Sequence, residues 1–268
     1  MDRPSWAPEE IDLERPSAAR VYDFYLGGAH NFAPDREMAQ QAMRMWPELP
    51  RIMQANRAFL RRAVRYVVDQ GIRQFIDIGS GIPTVGNVHE VAQQADPSVN
   101  VVYVDIDPVA VTHSRLILAD DDRTLVVLED LRNPEELLGN PDLLAHIDLD
   151  EPVAVLMVAV LHFIGDEDRP AEIIAHYRSR IAPGSHLVIS HASYEGQPEL
   201  AKSHQELYQQ TRTPMTMRSR AEIKAFFEGF TLVDPGVVWL PLWRPEASDP
   251  PADHPERTTG FAGVGRQD

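Results

Sequence analysis

The chain has 268 residues, with 25 Lys and Arg against 41 Asp and Glu, a formal charge of −16 and no cysteine. The missing cysteine excludes disulfide scaffolds, thiol nucleophiles, zinc fingers and iron–sulfur clusters, and the acidic balance argues against a surface built to neutralise nucleic-acid phosphates. No apolar run approaches the roughly 18–20 residues of a membrane span. The opening Met1-Asp-Arg-Pro-Ser-Trp6 lacks the apolar segment of a secretory signal, so the expected location is cytoplasmic.

The first 55 residues show no strand–helix alternation and are expected to form two or three helical segments packed over a sheet. From Asn56 the pattern alternates. Asn56–Gln70 places Leu60, Ala63, Val64, Val67 and Val68 at helical spacing, with Gly71 as a stop. Gln74–Ile78 is a short apolar strand, Val85–Ala95 returns to helical spacing, and Val99–Val104 is a second strand ending at Asp105. Pro108 opens a helix at its first position, with Asp107 as the cap. Thr124–Leu128 is a third strand, and Asn133-Pro-Glu-Glu136 repeats the cap, proline and acidic-turn signature. Val153–Leu161 contains no polar residue, as a central parallel strand covered on both faces requires. A buried helix is the competing reading, disfavoured by length and valine content. Asp168–Ile181 is an amphipathic helix, Ser185–Ser190 a strand, Arg218–Glu228 a helix, and Thr231–Leu240 and Gly260–Gly265 the final strands.

Five β/α repeats predict a doubly wound α/β sheet. The last two strands, with no helix between them, form an antiparallel pair at one edge. Six of the 22 prolines fall in Pro235–Pro255, which is expected to be an extended loop. The organisation is one domain: an N-terminal helical cap over residues 1–55 and a sheet portion over 56–268.

Ligands of such sheets bind beyond the carboxyl ends of the strands. After the first strand stands Asp77-Ile-Gly-Ser-Gly-Ile-Pro-Thr84, where Gly79 and Gly81 allow a tight turn and close backbone approach. The third glycine of a dinucleotide fingerprint is replaced by Thr84. Asp77 would repel a pyrophosphate but suits a cationic amino group. Asp105 lies 24 positions beyond Gly81, near where an acidic residue meets ribose hydroxyls; its bland alternative is a helix cap. Glu129-Asp130-Leu131 closes the third strand, where a carboxylate can accept a bond from an adenine amino group.

Asp-x-Gly-x-Gly after strand one, and Asp after strands two and three, resemble the class I S-adenosylmethionine-dependent methyltransferases. More closely, Pro16–Asn31 (Pro-Ser-Ala-Ala-Arg-Val-Tyr-Asp-Phe-Tyr-Leu-Gly-Gly-Ala-His-Asn), Asn56–Arg62 and Phe75–Thr84 resemble a bacterial family of S-adenosyl methyltransferases long known only as a domain of unknown function. The likeness extends to Gly260-Phe-Ala-Gly-Val-Gly-Arg266. It implies a seven-stranded, mostly parallel Rossmann-like sheet with a terminal antiparallel pair. By position it places Gly79, Ser80 and Gly81 beside the methionine portion of the cofactor, with Asp77 holding the loop and the amino group. Asp105 takes the ribose, Ile106 lies against adenine, and Asp130 and the Leu131 amide read its edge. The backbone around Ala159 faces the methionyl chain. Tyr22, Tyr25 and Asn31 close over from the cap, although a buried aromatic pair on a helix is more often simple core.

The resemblance makes the expected function S-adenosylmethionine-dependent methyl transfer to a small-molecule acceptor. Such chemistry needs alignment and, where the acceptor carries a proton, its removal. The candidate bases are His162, just past strand four, and His191, just past strand five; the alternative for His162 is packing or a hydrogen bond. His186 and His191 are five apart on a strand, point to opposite faces and cannot share a metal, and His89-Glu90-Val-Ala-Gln93 lacks the second histidine of a zinc-protease helix. No metal is expected. Two rivals stand: an S-adenosylmethionine-binding regulator without catalysis, motivated by the lack of any acceptor-side motif, and a nicotinamide-dependent oxidoreductase on a similar sheet.

Overall fold

Alternation of side chains along the strands sets the sheet. In β1 (Gln74–Ile78), Phe75 packs on one face and Ile76 and Ile78 on the other, as a pleat of period two requires. In β2 (Asn100–Asp105), Val101 and Tyr103 join Phe75, while Val102 and Val104 join Ile76. The computed structural model describes residues 13–83, 86–209, 211 and 213–268. The segment Met1–Trp6 and the rest of the cap before residue 13, together with Thr84 and Val85, lie outside the described residues. Strands β3 (Thr124–Leu128), β4 (Ala154–Val158) and β5 (His186–Ala192) complete the parallel part of the sheet. Strands β6 (Thr231–Leu232), β7 (Val238–Trp239) and β8 (Gly260–Arg266) are antiparallel additions. The order is β3-β2-β1-β4-β5-β8-β6, with β7 also paired to β8.

Two strand expectations change. The segment 231–240 forms two short strands rather than one, because Pro235 has no amide hydrogen for a ladder and Gly236 sits at φ 81°, so the chain turns between them. The sheet therefore has eight strands rather than seven, with the mostly parallel order and the antiparallel end retained. The apolar run 153–161 stops being a strand at Val158, because Ala159 adopts φ 59° and Leu161–Phe163 wind into a 3-10 turn.

Helices α1 (Ala18–Tyr25) and α2 (Ala33–Met45) belong to the cap, and α3 (Leu49–Asp69) runs from the cap onto the sheet. The α3 stripe of Phe59, Leu60, Ala63, Val64, Val67 and Val68 packs on the first sheet face, joined by α4 (Val88–Ala95) and α5 (Pro108–Ile117). Each buried Val, Leu or Phe of this stripe contributes about 1.5–3 kcal/mol of transfer free energy, and Ala63 less. The second face is covered by α6 (Pro134–Leu138), α7 (Pro141–His146), α8 (Pro170–Arg180) and, after α9 (Pro198–Tyr208), by α10 (Arg220–Ala225). Helix α9 has no counterpart in the sequence reading. It joins Val21, Tyr25, Met38, Trp46, Leu49 and Ile52 through Ala201, Leu207 and Tyr208 in a third apolar cluster, so the roof over the sheet is built from both ends of the chain. Among the described residues no helix is long and apolar enough to cross a membrane.

Buried arginines fasten these layers. Arg62 on α3 donates to the carbonyls of Trp243 (2.8 Å) and Leu240 (2.7 Å) and pairs with Asp249 (2.8 Å), anchoring the proline-rich 240–255 segment. Arg20 on α1 pairs with fully buried Asp35 (2.8 Å) and reaches Asp107 (3.3 Å), joining the cap to the start of α5.

Candidate functional site

The carboxyl ends of β1, β2, β4 and β5 open into a cavity of about 720 Å³, roofed by α1, the first half of α3 and α9. Its floor is the turn after β1. Gly79 (φ 71°) and Gly81 (φ 66°) hold backbone conformations that favour glycine, and the Gly79 and Ser80 amides both donate to the Val104 carbonyl at 2.8 and 3.1 Å. A Cβ on Gly79 would stand 2.3 Å from Val160 Cγ2. The glycine is therefore required by both conformation and space.

Asp105 and Asp107 divide the work that sequence left open. Asp107 caps α5, its Oδ1 accepting from the Val109 amide at 2.8 Å, while its other oxygen accepts from the Ser17 hydroxyl and Arg20. Asp105 is buried at the cavity wall and accepts the Gly81 amide (2.7 Å) on one oxygen and the Asp107 amide (2.8 Å) on the other. Burial pushes its carboxyl up to about 6, against the pull of those amides. Asp77, also buried, receives no hydrogen-bond donor from the described residues. Burial pushes it up to about 7, with Arg57 lowering it and Asp105 raising it further. Each carboxylate oxygen has two lone pairs, so both groups keep accepting capacity toward the cavity.

Asp130 differs. Arg132 grips it through Nε (2.9 and 3.0 Å) and Nη2 (2.5 Å) and through its own amide (2.9 Å). Burial raises this carboxyl, but the Arg132 bonds outweigh that and hold it below the ordinary range. Leu131 is buried beside it, and its carbonyl accepts from Tyr177 at 3.1 Å. Ile106 also lines the cavity and is 54% exposed, an apolar side chain with no core to enter. Ala159 lines the wall in the left-handed region, its amide donating to the Ser190 carbonyl at 3.0 Å. A non-glycine residue there costs about 1–2 kcal/mol and persists only where the surroundings fix it.

From the cap, Tyr22 and Tyr25 line the cavity and Asn31 does not. Asn31 is a loop staple: its amide donates to Asp23 (2.8 Å) and to the Gly28 carbonyl (2.9 Å), and its side-chain oxygen accepts from Arg36 at 3.2 Å. Gly28 is held to glycine by the same device, since a Cβ would fall 2.0 Å from Asp23 Oδ1. Tyr22 is held from below, its hydroxyl accepting from Asn56 at 2.9 Å while Asn56 accepts from Ser190 at 2.6 Å. Asn56 and Arg57 were visible only inside the family-like segment 56–62. Trp46, His204 and Tyr208 also line the cavity, and nothing in the sequence pattern singled them out.

His162 and His191 both line the cavity and lie 5.5 Å apart, ring to ring. The His191 Nδ1 bonds the Ala192 carbonyl (2.7 Å) and must carry the proton, so its Nε2 accepts from Arg218 at 3.0 Å. Burial, with Arg218 nearby, pushes it down to about 3. Both nitrogens are thus occupied, which removes His191 from the role of proton acceptor. His162 accepts the Ala192 amide on Nδ1 at 3.3 Å, leaving the neutral ring's proton on Nε2. Burial and the neighbouring His191, His204 and Arg218 hold it well below its ordinary value. It offers the cavity an N–H donor rather than a lone pair. His186, near Tyr66 on the opposite sheet face, is separate from this pair. Among the described residues no group of three or more His, Asp or Glu is placed to hold a metal ion.

A profile of the S-adenosyl methyltransferase family matches residues 4–268. A Thermobifida fusca structure carrying a provisional methyltransferase assignment is 39% identical, with a TM-score of 0.92 over 99% of this chain and 100% of that one. A DUF574 family protein from Streptomyces avermitilis is 38% identical, with a TM-score of 0.92 over 97% of this chain and 100% of that one. Human N-acetylserotonin methyltransferase, crystallised with S-adenosylmethionine, shares the fold at 13% identity, with a TM-score of 0.51 over 94% of this chain and 63% of that one. No curated protein matches the sequence significantly. With the family profile matching nearly the whole chain, the chain belongs to the S-adenosyl methyltransferase family, whose cofactor is S-adenosylmethionine.

Proposed function

We propose that this protein transfers the methyl group of S-adenosylmethionine to a small-molecule acceptor. The observation that carries the reading is the pair of buried carboxylates, Asp77 and Asp105, facing one cavity across a turn in which Gly79 has no room for a side chain and Gly81 holds a φ that favours glycine. A site with two costly buried acids suits a cationic, phosphate-free ligand. Asp77 suits the amino group and Arg57, whose charge reaches Asp77, suits the neighbouring carboxylate. Asp105 suits the ribose hydroxyls, exposed Ile106 the flat face of adenine, and the Asp130–Leu131 backbone its edge, with Asp130 kept in one direction by Arg132. The Gly79–Gly81 and Ala159 backbones line the space for the methionyl chain.

The cofactor supplies an electrophilic methyl group on a positively charged sulfur. What this chain contributes is alignment and exclusion of water, worth up to about 7–11 kcal/mol in well-oriented systems. The cap does the excluding: Arg20, Asp35 and Asp107 latch α1 to the sheet, and Asn56 joins Tyr22 to Ser190. His162 presents its Nε2–H to the acceptor and fixes its approach, and an acceptor proton leaves to solvent. The test is incubation with S-adenosylmethionine labelled in the methyl group and a broad panel of acceptors. Label in an acceptor supports the reading; tight cofactor binding with no label transferred to any acceptor favours the non-catalytic regulator.

A further inference from the structure

Beyond the half of the cavity that suits the cofactor, the wall changes character. It is made by Tyr25, Trp46, Phe163, His204, Tyr208 and Met215, from α1, the end of α2, the 3-10 turn after β4, α9 and the segment after it. Aromatic rings line up across it: His162 to Phe163 at 4.4 Å, Phe163 to Tyr208 at 5.7 Å, Tyr208 to His204 at 4.9 Å and His204 to Trp46 at 5.7 Å. None of these side chains carries a formal charge at neutral pH, since burial holds His204 down to about 4 and His162 lower than usual.

Three polar atoms in this wall have no hydrogen-bond partner among the described residues: the Tyr25 hydroxyl, Trp46 Nε1 and His204 Nδ1, on residues 5%, 2% and 5% exposed. A buried polar group left unpaired costs about 1–3 kcal/mol, and a ligand that reaches these side chains from the cavity they line would recover that cost. Trp46 can only donate, whereas neutral His204 donates or accepts.

We propose that this half of the cavity is the acceptor chamber and that it takes a neutral, planar aromatic molecule bearing a polar oxygen on its edge. The inference rests on the methyltransferase reading for the word acceptor, but the chamber's preference stands on its own wall. Ring faces meet the aromatic plane at stacked or edge-on distances, and Trp46 N–H and His204 meet the edge oxygen. Among the described residues of this wall a carboxylate finds no counter-charge and would lose its hydration without compensation, and an ammonium finds only ring faces, worth less than the hydration it gives up.

The test is titration calorimetry with three bicyclic probes of one size: 2-naphthol, neutral at pH 7, 2-naphthoate and 2-naphthylmethylammonium. Each is titrated with and without saturating S-adenosylhomocysteine. The expected result is measurable binding of 2-naphthol and at least about tenfold weaker binding of either ion. Trp46→Phe, which keeps a ring and removes the N–H, lowers 2-naphthol affinity by about three- to tenfold while retaining a cooperative thermal transition. Either ion binding as tightly as 2-naphthol, no binding of 2-naphthol at millimolar concentration, or an affinity unchanged by Trp46→Phe overturns the proposal. Failure of S-adenosylhomocysteine to bind, with the probe order intact, instead removes the cofactor reading and leaves the chamber standing.

Discussion

Replacing Asp77 by Asn should make the cofactor-free protein more stable and the cofactor-binding site worse. The Asp77 carboxyl sits at about 7 in the folded protein against an ordinary 3.8, chiefly because burial penalises its charge. A carboxyl raised on folding opposes stability where it must ionise. The opposition is absent below about pH 4, grows as pH rises through the folded value, and is complete above it. At about 1.4 kcal/mol for each tenfold change in proton affinity, the cost at pH 8 is about 4 kcal/mol, and an isosteric amide relieves it. For a chain of this size that corresponds to roughly 8–16 °C in Tm. Asp105, at about 6, and buried histidines such as His191 and His204 also tilt the pH profile, so the informative quantity is the difference between the two proteins. Thermal unfolding of both at pH 5 and pH 8 reads it directly. The stabilisation of Asp77→Asn must be large at pH 8 and mostly gone at pH 5. S-adenosylmethionine affinity falls in the variant, and in the wild type it falls as pH drops below 7 and Asp77 takes up its proton. A variant that is destabilised at pH 8, or stabilised equally at both pH values, refutes the reasoning.

Gly79→Ala meets two obstacles, the φ of 71° and Val160 Cγ2 at 2.3 Å from the new methyl. We expect a lowered Tm and more than tenfold weaker cofactor binding. Gly79→Ala with Val160→Ala should recover the steric part and keep the conformational cost of about 1–2 kcal/mol; no recovery at all would count against the contact. Arg218→Met tests the clamp behind His162. Arg218 donates to the carbonyls of Leu161 (3.2 Å) and Ile164 (2.9 Å) and to His191 Nε2, whereas its partner Asp166 is 81% exposed and contributes little. With about 1 kcal/mol or more for each buried acceptor left unpaired, urea unfolding should show a loss of about 3 kcal/mol, and a loss under 1 kcal/mol would contradict the clamp.

The sheet was legible because strand and helix periods are local, and because covered strands such as 153–158 tolerate no polar residue. The same locality misled at 159–161, where Ala159 and Val160 line a cavity wall and Leu161 enters the core from a 3-10 turn instead of extending a strand. It also failed at 231–240, where Pro235 and Gly236 divide what hydrophobicity alone joins. Helix α9 carries Ala201, His204, Leu207 and Tyr208 at helical spacing behind Pro198, but a histidine in an apolar stripe weakened the pattern. The carboxylates at the strand ends could be placed from position alone. Their chemical states could not, because Arg132 beside Asp130 and the absence of a donor at Asp77 among the described residues are facts of packing. His191 looked free for the same reason. The partner that occupies it, Arg218, is 27 residues away and on another element. The chamber wall was the least legible, since Trp46 and His204 meet only when both ends of the chain fold over the sheet.

The central claim is that the acidic glycine-turn cavity holds S-adenosylmethionine, and titration calorimetry of the purified protein with S-adenosylmethionine and with NAD tests it most directly. The expected result is binding of S-adenosylmethionine, no comparable binding of NAD, and an affinity loss of at least about tenfold in Asp105→Ala, which removes the proposed ribose acceptor and the strap on the Gly81 amide. Binding of NAD with none of S-adenosylmethionine, or full S-adenosylmethionine affinity in Asp105→Ala, would contradict it.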